Sequence, residues 1–282
     1  MIARTAIMLA AALLCNAAFA GVEEAVPSCY DHKLGVTVAA SSTELFILVD
    51  QTTLFDATLQ QQVADNSRLF MGPGNAFSIM TFSAFSQGHY AQVVSAGNIE
   101  PAIAAAARDD ISKPVLNKFD ACAKRQPQIA MQAIGTALRG AFAGANADLA
   151  KSDVMASLKS MSSRVKNSTA SRKIVLIASD MLENSSVSSF YENKGMSVKN
   201  IDGARELKLA ADNDLFGDFG GAKIYVIGTG LLADDAKKGS KYRDPKTMRS
   251  LLSFWNQYFQ KSNATVVEIG QPALLNNISL GR

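Results

Sequence analysis

From residue 44 onward, short runs of apolar residues alternate with segments in which apolar residues recur every three or four positions. The short runs predict β-strands, and several are apolar throughout, as expected of strands buried on both faces. Because strands and helices alternate, we expect an α/β fold with three layers, in which helices cover both faces of a mostly parallel, Rossmann-like sheet of about six strands. The predicted strands cover residues 45–49, 77–82, 90–94, 173–178, 224–227 and 265–269.

Helical periodicity accounts for most of the remaining chain. Phe55, Leu59 and Val63, for example, recur every four residues and share one face of a predicted helix. The whole stretch 98–166 is predicted to be helical, and we interpret it as a long helical insertion between the third and fourth strands. Within this stretch the predicted helices cover residues 99–108, 114–124, 129–142 and 154–165, and a further helix is predicted at residues 248–259.

The first twenty residues have the pattern of a signal peptide. Arg4 precedes an apolar run, and the segment ends Ala18-Phe19-Ala20, the small-x-small pattern before a cleavage site. The apolar run is shorter than the ~20 residues that a transmembrane helix requires. We therefore expect cleavage after Ala20, no integral membrane segment afterwards, and a periplasmic or secreted protein. The mature chain would consist of an N-terminal arm, residues 21–43, and one domain, residues 44–282.

Two cysteines, Cys29 and Cys122, remain once the leader with Cys15 is removed. In an oxidising compartment an isolated pair most simply forms one disulfide. The alternative of two unpaired, buried thiols stays open at this point. A disulfide would hold the N-terminal arm against the predicted helical insertion.

Charge and histidine content exclude several classes of function. The chain has 28 lysines and arginines against 25 acidic residues, a formal net charge of +3, which is far from that of a typical nucleic-acid-binding protein. His32 and His89 are too few for a multi-histidine zinc site. No Gly-x-Ser-x-Gly motif of a serine hydrolase is present. Because the net charge is small, we expect no nucleic acid among the partners of this protein.

Acidic residues follow two of the predicted strands. The first strand ends in Asp50, followed by Thr52 and Thr53, and the fourth runs into Asp180. If these strands are neighbours in a parallel sheet, the side chains meet at its carboxyl edge, where α/β proteins bind ligands. Carboxylate and hydroxyl oxygens suit hard cations such as Mg²⁺ or Ca²⁺.

This order of elements resembles the von Willebrand factor type A (vWA) family over residues 44–270. That family has a metal-ion-dependent adhesion site with the pattern Asp-x-Ser-x-Ser, a later threonine and a late aspartate, and a partner's carboxylate completes the metal shell. The resemblance implies that Asp50, Thr52 and Asp180 bind Mg²⁺, or Mn²⁺ or Ca²⁺, with Thr53 a weaker candidate ligand.

The chain also departs from that pattern. Leu54 stands at the position of the family's second hydroxyl, and Met181 follows the late aspartate where the family commonly has glycine. No threonine is clearly placed on a loop before the predicted helix 129–142. The nearest, Thr136, falls in the middle of that helix.

The resemblance implies a non-enzymatic module that binds a protein partner, with metal assistance at the edge of the sheet, and the leader pattern predicts that this module is exported. Phe190 and Tyr191 interrupt a polar loop just after Asp180, and these aromatics either anchor the partner or fold back over the sheet. The alternative function is an exported metal-dependent phosphohydrolase similar to haloacid dehalogenases, with Asp50 as nucleophile. That family requires Asp-x-Asp, whereas Thr52 is at the third position.

Overall fold

The computed structural model describes residues 24–37, 39–83, 91–146, 152–193, 196–232 and 243–279. The predicted signal peptide and His89 lie outside the described residues. The strands are β1 (Thr43–Asp50), β2 (Asn75–Phe82), β3 (Gln92–Ile99), β4 (Arg172–Ala178), β5 (Tyr191–Glu192), β6 (Ser197–Val198), β7 (Ala222–Ile227) and β8 (Ala264–Ile269). The helices are a 3-10 turn (His32–Leu34), α1 (Ala57–Arg68), α2 (Ala105–Arg108), α3 (Lys113–Ala123), α4 (Gln126–Ala143), α5 (Val154–Asn167), α6 (Gly203–Asp212) and α7 (Pro245–Lys261).

Six strands form the central sheet in the order β3-β2-β1-β4-β7-β8. All neighbouring pairs are parallel except β2 and β3, which are antiparallel. The strand order reverses between β1 and β4, because the chain builds outward from β1 in one direction and then from β4 in the other. The prediction of a mostly parallel sheet of about six strands is confirmed.

Apolar side chains of the central strands alternate between two cores. Phe46 and Leu48 of β1 pack on the face covered by α5, α6 and α7. Leu45, Ile47 and Val49 pack on the opposite face, under α1, α4 and the C-terminal segment that follows β8. Since each face of the sheet has its own buried cluster, the predicted three-layer arrangement is confirmed.

Helices α3, α4 and α5 lie within a few residues of their predicted bounds, but the predicted helix 99–108 is wrong in its first half. Residues up to Ile99 belong to β3, and α2 spans only four residues. The predicted strand 90–94 is correspondingly too short and begins too early. Within stretch 98–166, α4 and α5 each cover one face of the sheet and so belong to the outer layers of the sandwich.

The N-terminal arm explains why β3 lacks a strong strand pattern. Glu24 forms a bridge beside Ala96, and Val26 is buried against the sheet. A Cβ atom at Gly97 would lie 2.7 Å from both Phe77 and Val26. The arm therefore requires a residue without a side chain at this point of β3, which weakens the apolar signal of the strand.

A disulfide joins Cys29 of the arm to Cys122 of α3, as predicted. Around it lies a third, small apolar cluster that includes Leu34 and Phe119. The buried carboxylate of Glu100 accepts a hydrogen bond from the backbone amide of Cys29 at 2.8 Å. Of the helices that the structure describes, none is long and apolar enough to cross a membrane.

We expect reduction of the disulfide to lower the melting temperature (Tm). The bond links residues 93 positions apart, and constraint of the unfolded chain over such a loop stabilises the fold by about 4–5 kcal/mol. For a protein of this size that corresponds to a fall in Tm of about 10 °C. Thermal unfolding with and without dithiothreitol measures the effect. The double variant Cys29→Ser, Cys122→Ser should not respond to the reductant, and two freely alkylated thiols in the untreated protein would contradict the pairing.

Candidate functional site

Asp50 ends β1 and is fully buried. Its Oδ1 accepts hydrogen bonds from the backbone amide of Thr52 at 2.9 Å and from the Thr52 hydroxyl at 2.6 Å. Its Oδ2 accepts a hydrogen bond from the Ser179 hydroxyl at 2.7 Å. Ser179 follows β4, the parallel neighbour of β1. The predicted convergence of the two strand ends is therefore present.

Asp180 lies beside Asp50 at the same edge and is 5% exposed. Its Oδ1 accepts a hydrogen bond from the amide of Leu182 at 2.8 Å, and its Oδ2 accepts one from the Tyr191 hydroxyl at 3.0 Å. The backbone amide of Asp180 donates to the Thr53 hydroxyl oxygen at 3.2 Å. Thr53, the weaker candidate, therefore belongs to the same cluster.

Burial raises the pKa of both carboxyl groups. Loss of hydration raises the pKa of Asp50, while loss of hydration and then the charge of Asp50 raise the pKa of Asp180 to about 8. Among the described residues, neither carboxylate forms an ion pair with a lysine, arginine or histidine. Two adjacent buried acids without a basic partner favour uptake of a proton or a metal cation.

Ser152 is a member of this cluster that the sequence analysis missed. Its hydroxyl lies 3.0 Å from that of Thr52, and since the Thr52 hydroxyl donates to Asp50, Ser152 donates to Thr52. Backbone hydrogen bonds of 3.1 and 2.8 Å pair Ser152 with Asn184. The feature of the sequence that could have indicated Ser152 is its position just before the apolar stripe of α5. Thr136 is instead exposed on α4, where Arg139 donates to its hydroxyl.

We define the rim cluster as Asp50, Thr52, Thr53, Ser152, Ser179 and Asp180. All of its side-chain ligand atoms are oxygens, which fits a hard divalent cation in chemical type. Leu54, half-buried, contributes no oxygen at the position of the family's second hydroxyl. Across the described part of the chain, no group of three or more histidine, cysteine, aspartate or glutamate side chains is placed to hold a metal ion. Hydroxyl groups would therefore supply part of any metal shell here.

The two aromatic residues of the loop after Asp180, Phe190 and Tyr191, lie in different environments. Phe190 is fully buried and packs edge-on against Phe254 and Trp255, which corresponds to the alternative in which the side chain folds back over the sheet. Burial of the ring in the core under α7 removes from water the apolar surface that an exposed ring would leave in it. Tyr191 is half-buried, and its hydroxyl covers Asp180. Burial, followed by the charge of Asp180, raises the pKa of Tyr191, so the phenol stays protonated as a donor.

Met181 adopts a left-handed backbone conformation, with φ 58°. This conformation is costly for a residue with a side chain, by roughly 1–2 kcal/mol, which is the physical reason that glycine suits the position. The indole Nε1 of Trp255 donates to the Met181 carbonyl oxygen at 2.9 Å, and both residues are fully buried. Helix α7 therefore holds the backbone directly after Asp180.

Glu183 is a further buried acid near the rim cluster, one that the sequence did not indicate. It lies in the loop after β4, 1% exposed, and its Oε2 accepts a hydrogen bond from the amide of Met155 at 2.9 Å. Met155 belongs to the first turn of α5, where a negative charge is stabilised by the helix dipole. Burial nevertheless raises the pKa of Glu183 to about 7. Glu183 thus ties the loop of Asp180 to the helix that follows Ser152.

Comparison with known proteins finds distant structural likenesses. The sequence matches no protein-family model and no curated protein. Among solved structures, an aerotolerance-related membrane protein from Bacteroides fragilis NCTC 9343 is 10% identical over 81% of this chain and 92% of its own, with a TM-score of 0.33. The PilB minor pilin from Streptococcus sanguinis is 11% identical over 80% and 62%, with a TM-score of 0.34. The pilus adhesin SpaC from Lactobacillus rhamnosus GG is 11% identical over 79% and 31%, with a TM-score of 0.33. Scores this low carry no argument about function.

We expect Glu183 to make the protein less stable as the pH rises through neutrality. Unfolded Glu183 loses its proton near its ordinary pKa of 4.5, whereas the folded group keeps it up to about pH 7. The folded state therefore binds more protons in this interval, and a stabilisation of about 3 kcal/mol, present below pH ~4.5, is lost as the pH passes about 7.

Glu183→Gln keeps an oxygen acceptor for Met155 but has no proton to lose. Urea unfolding at intervals between pH 4 and 8 should show a shallower fall in stability for Glu183→Gln than for the unmodified protein. The exposed Glu192 provides the control variant, Glu192→Gln, which should follow the unmodified protein. Identical slopes for all three proteins would contradict the assignment.

Proposed function

We propose that this chain is an exported, vWA-like interaction module that binds a carboxylate of a protein partner at the rim cluster, with the help of a divalent cation. The observation that carries the proposal is the pair of buried carboxylates, Asp50 and Asp180, that lack a basic partner among the described residues. Hydroxyl groups surround both of them. Export is supported by the leader pattern of residues 1–20 and by the disulfide.

Oxygen atoms of Asp50, Thr52, Ser152 and Asp180 are the groups that would hold Mg²⁺, or Mn²⁺ or Ca²⁺. When bound, the cation would supply a positive centre for a partner's carboxylate. The protein's own contribution is to hold the oxygens in place: Ser179 fixes Asp50, and Tyr191 fixes Asp180. Such outer contacts orient ligand groups and maintain affinity.

A non-enzymatic role is favoured over phosphohydrolysis by the surroundings of Asp50. A nucleophilic carboxylate needs an oxygen within reach of the substrate. Both oxygens of Asp50 accept hydrogen bonds, and the side chain is fully buried. Thr52 stands where the phosphohydrolase family places its second aspartate.

We expect the mature protein to bind Mg²⁺, Mn²⁺ or Ca²⁺ at millimolar concentration or below, with a rise in Tm. Thr52→Val should weaken binding by about tenfold or more, because it removes one hydroxyl of the cluster. Thr136→Val is the matched control, since Thr136 lies on the surface of α4. Calorimetric titration measures the affinities. Absence of both heat and a Tm shift would remove the metal from the proposal.

We expect no turnover of a generic phosphoester such as p-nitrophenyl phosphate in the presence of these cations. The reason is that both oxygens of Asp50 already accept hydrogen bonds, from Thr52 and from Ser179, so neither is a free nucleophile. Release of p-nitrophenol is followed by absorbance for the unmodified protein and for Asp50→Asn. Turnover that disappears in Asp50→Asn would establish the phosphohydrolase alternative instead.

A further inference from the structure

A cavity of about 650 Å³ lies between α5 and residues 213–218, the segment that joins α6 to β7. Because this segment leads into the amino end of β7, the cavity lies away from the carboxyl edge of the sheet, which carries the rim cluster. The volume falls within the range of small-ligand sites in proteins. The cavity is therefore a candidate site that is separate from the rim cluster.

The wall formed by residues 213–218 is held by hydrogen bonds to two helices. The Tyr258 hydroxyl of α7 donates to the carbonyl oxygen of Leu215 at 2.8 Å. The backbone amide of Asp218 donates to the hydroxyl oxygen of Ser162, on α5, at 3.0 Å. Because these contacts exist without a ligand, the wall does not have to become ordered when a ligand binds, which lowers the entropic cost of binding.

The acidic side chains of the lining are each paired with a lysine. The Lys159 ammonium lies 2.6 Å from the Oδ2 of Asp214, and the Lys166 ammonium lies 2.8 Å from the Oδ2 of Asp218. A charged ligand would have to compete with one of these ion pairs, whereas a neutral ligand would not. The charges of the lining therefore favour a neutral ligand.

Four hydrogen-bonding groups of the lining remain available. The hydroxyls of Ser160 and Ser163, which are exposed on α5, have no hydrogen-bond partner in the described part of the chain. The Oδ1 atoms of Asn213 and Asp214 likewise accept no hydrogen bond from a described residue. Two of these groups only accept hydrogen bonds, and the two hydroxyls both donate and accept. The complement of this set is a ligand with several hydroxyl groups.

An aromatic ring lies in the same wall. Phe216 lines the cavity and is half-buried. The ring contacts Tyr258 and Lys261, which both belong to α7, whereas the cavity lies between the ring and α5. The ring therefore offers apolar surface beside the free polar groups. A sugar matches this combination, because the C–H groups on one face of its ring can pack on an aromatic side chain while its hydroxyls reach polar neighbours.

We propose that this cavity is a binding site for a neutral saccharide of one or two rings. Phe216 packs against the C–H face of one sugar ring. Ser160 and Ser163 exchange hydrogen bonds with the sugar hydroxyls, and Asn213 and Asp214 accept hydrogen bonds from them. The site needs no metal ion and does not depend on the function proposed for the rim cluster.

The test uses the mature protein with EDTA, so that the rim cluster holds no metal. Cellobiose, maltose and N,N′-diacetylchitobiose are titrated separately, and binding is followed by the shifts of backbone amide signals in NMR spectra. We expect at least one of them to bind with a dissociation constant of about 5 mM or tighter. The permethylated form of that disaccharide keeps the rings but has no hydroxyl donors, and it should bind at least about tenfold more weakly.

Two variants test the contacts. The double variant Ser160→Ala, Ser163→Ala removes two exposed hydroxyls without a partner and should weaken binding by about tenfold. Phe216→Leu keeps an apolar side chain but removes the ring, and it should weaken binding by about fivefold. Ser112→Ala, at an exposed serine before α3, is the control and should bind like the unmodified protein.

Three results would each overturn the proposal. The first is that none of the three disaccharides binds at about 50 mM, ten times the expected dissociation constant. The second is that the permethylated form binds as tightly as the free sugar. The third is that the double serine variant, with an unchanged Tm, binds like the unmodified protein.

Discussion

The carboxyl edge of this sheet is organised by the burial of two acidic side chains at the ends of adjacent parallel strands. Ser179, after β4, donates to the carboxylate of Asp50, and the backbone amide of Asp180 donates to the hydroxyl oxygen of Thr53, after β1. Because an unpaired buried carboxylate is very costly, the hydrogen bond from Ser179 ties the loop after β4 to Asp50. The loops after β1 and β4 are therefore fixed as one unit.

A third loop joins this unit through Ser152, which contacts Thr52 through its side chain and Asn184 through its backbone. Glu183 adds a bond to the first turn of α5. Segments some 100 residues apart in sequence thus converge on one small volume. The same hydrogen bonds that satisfy the buried acids also position the oxygens that we propose for ligand binding, so stability and function depend on shared contacts.

The central strands could be predicted because strands buried on both faces are apolar at every position, as in 45–49 and 174–178. β3 could not be predicted fully, because it is an edge strand and receives Val26 of the arm where Gly97 has no side chain. The placement of Asp50 and Asp180 in the rim cluster could be predicted, because each residue comes at the end of a predicted strand. The contact of Ser152 with Thr52 could not be predicted, since a serine before the apolar stripe of α5 does not indicate which residue 100 positions earlier it approaches. Phe190 in a polar loop was equally compatible with exposure and burial, and only the packing under α7 decides between them.

Trp255 is the single tryptophan of the chain. Its indole donates to the carbonyl of Met181, one residue beyond Asp180, from within the core beneath α7. A change in the backbone of this loop would alter the hydrogen bond of the indole and hence the energy of its excited state. The protein therefore carries one intrinsic tryptophan fluorophore, and its indole is hydrogen-bonded to the loop that supports the rim cluster.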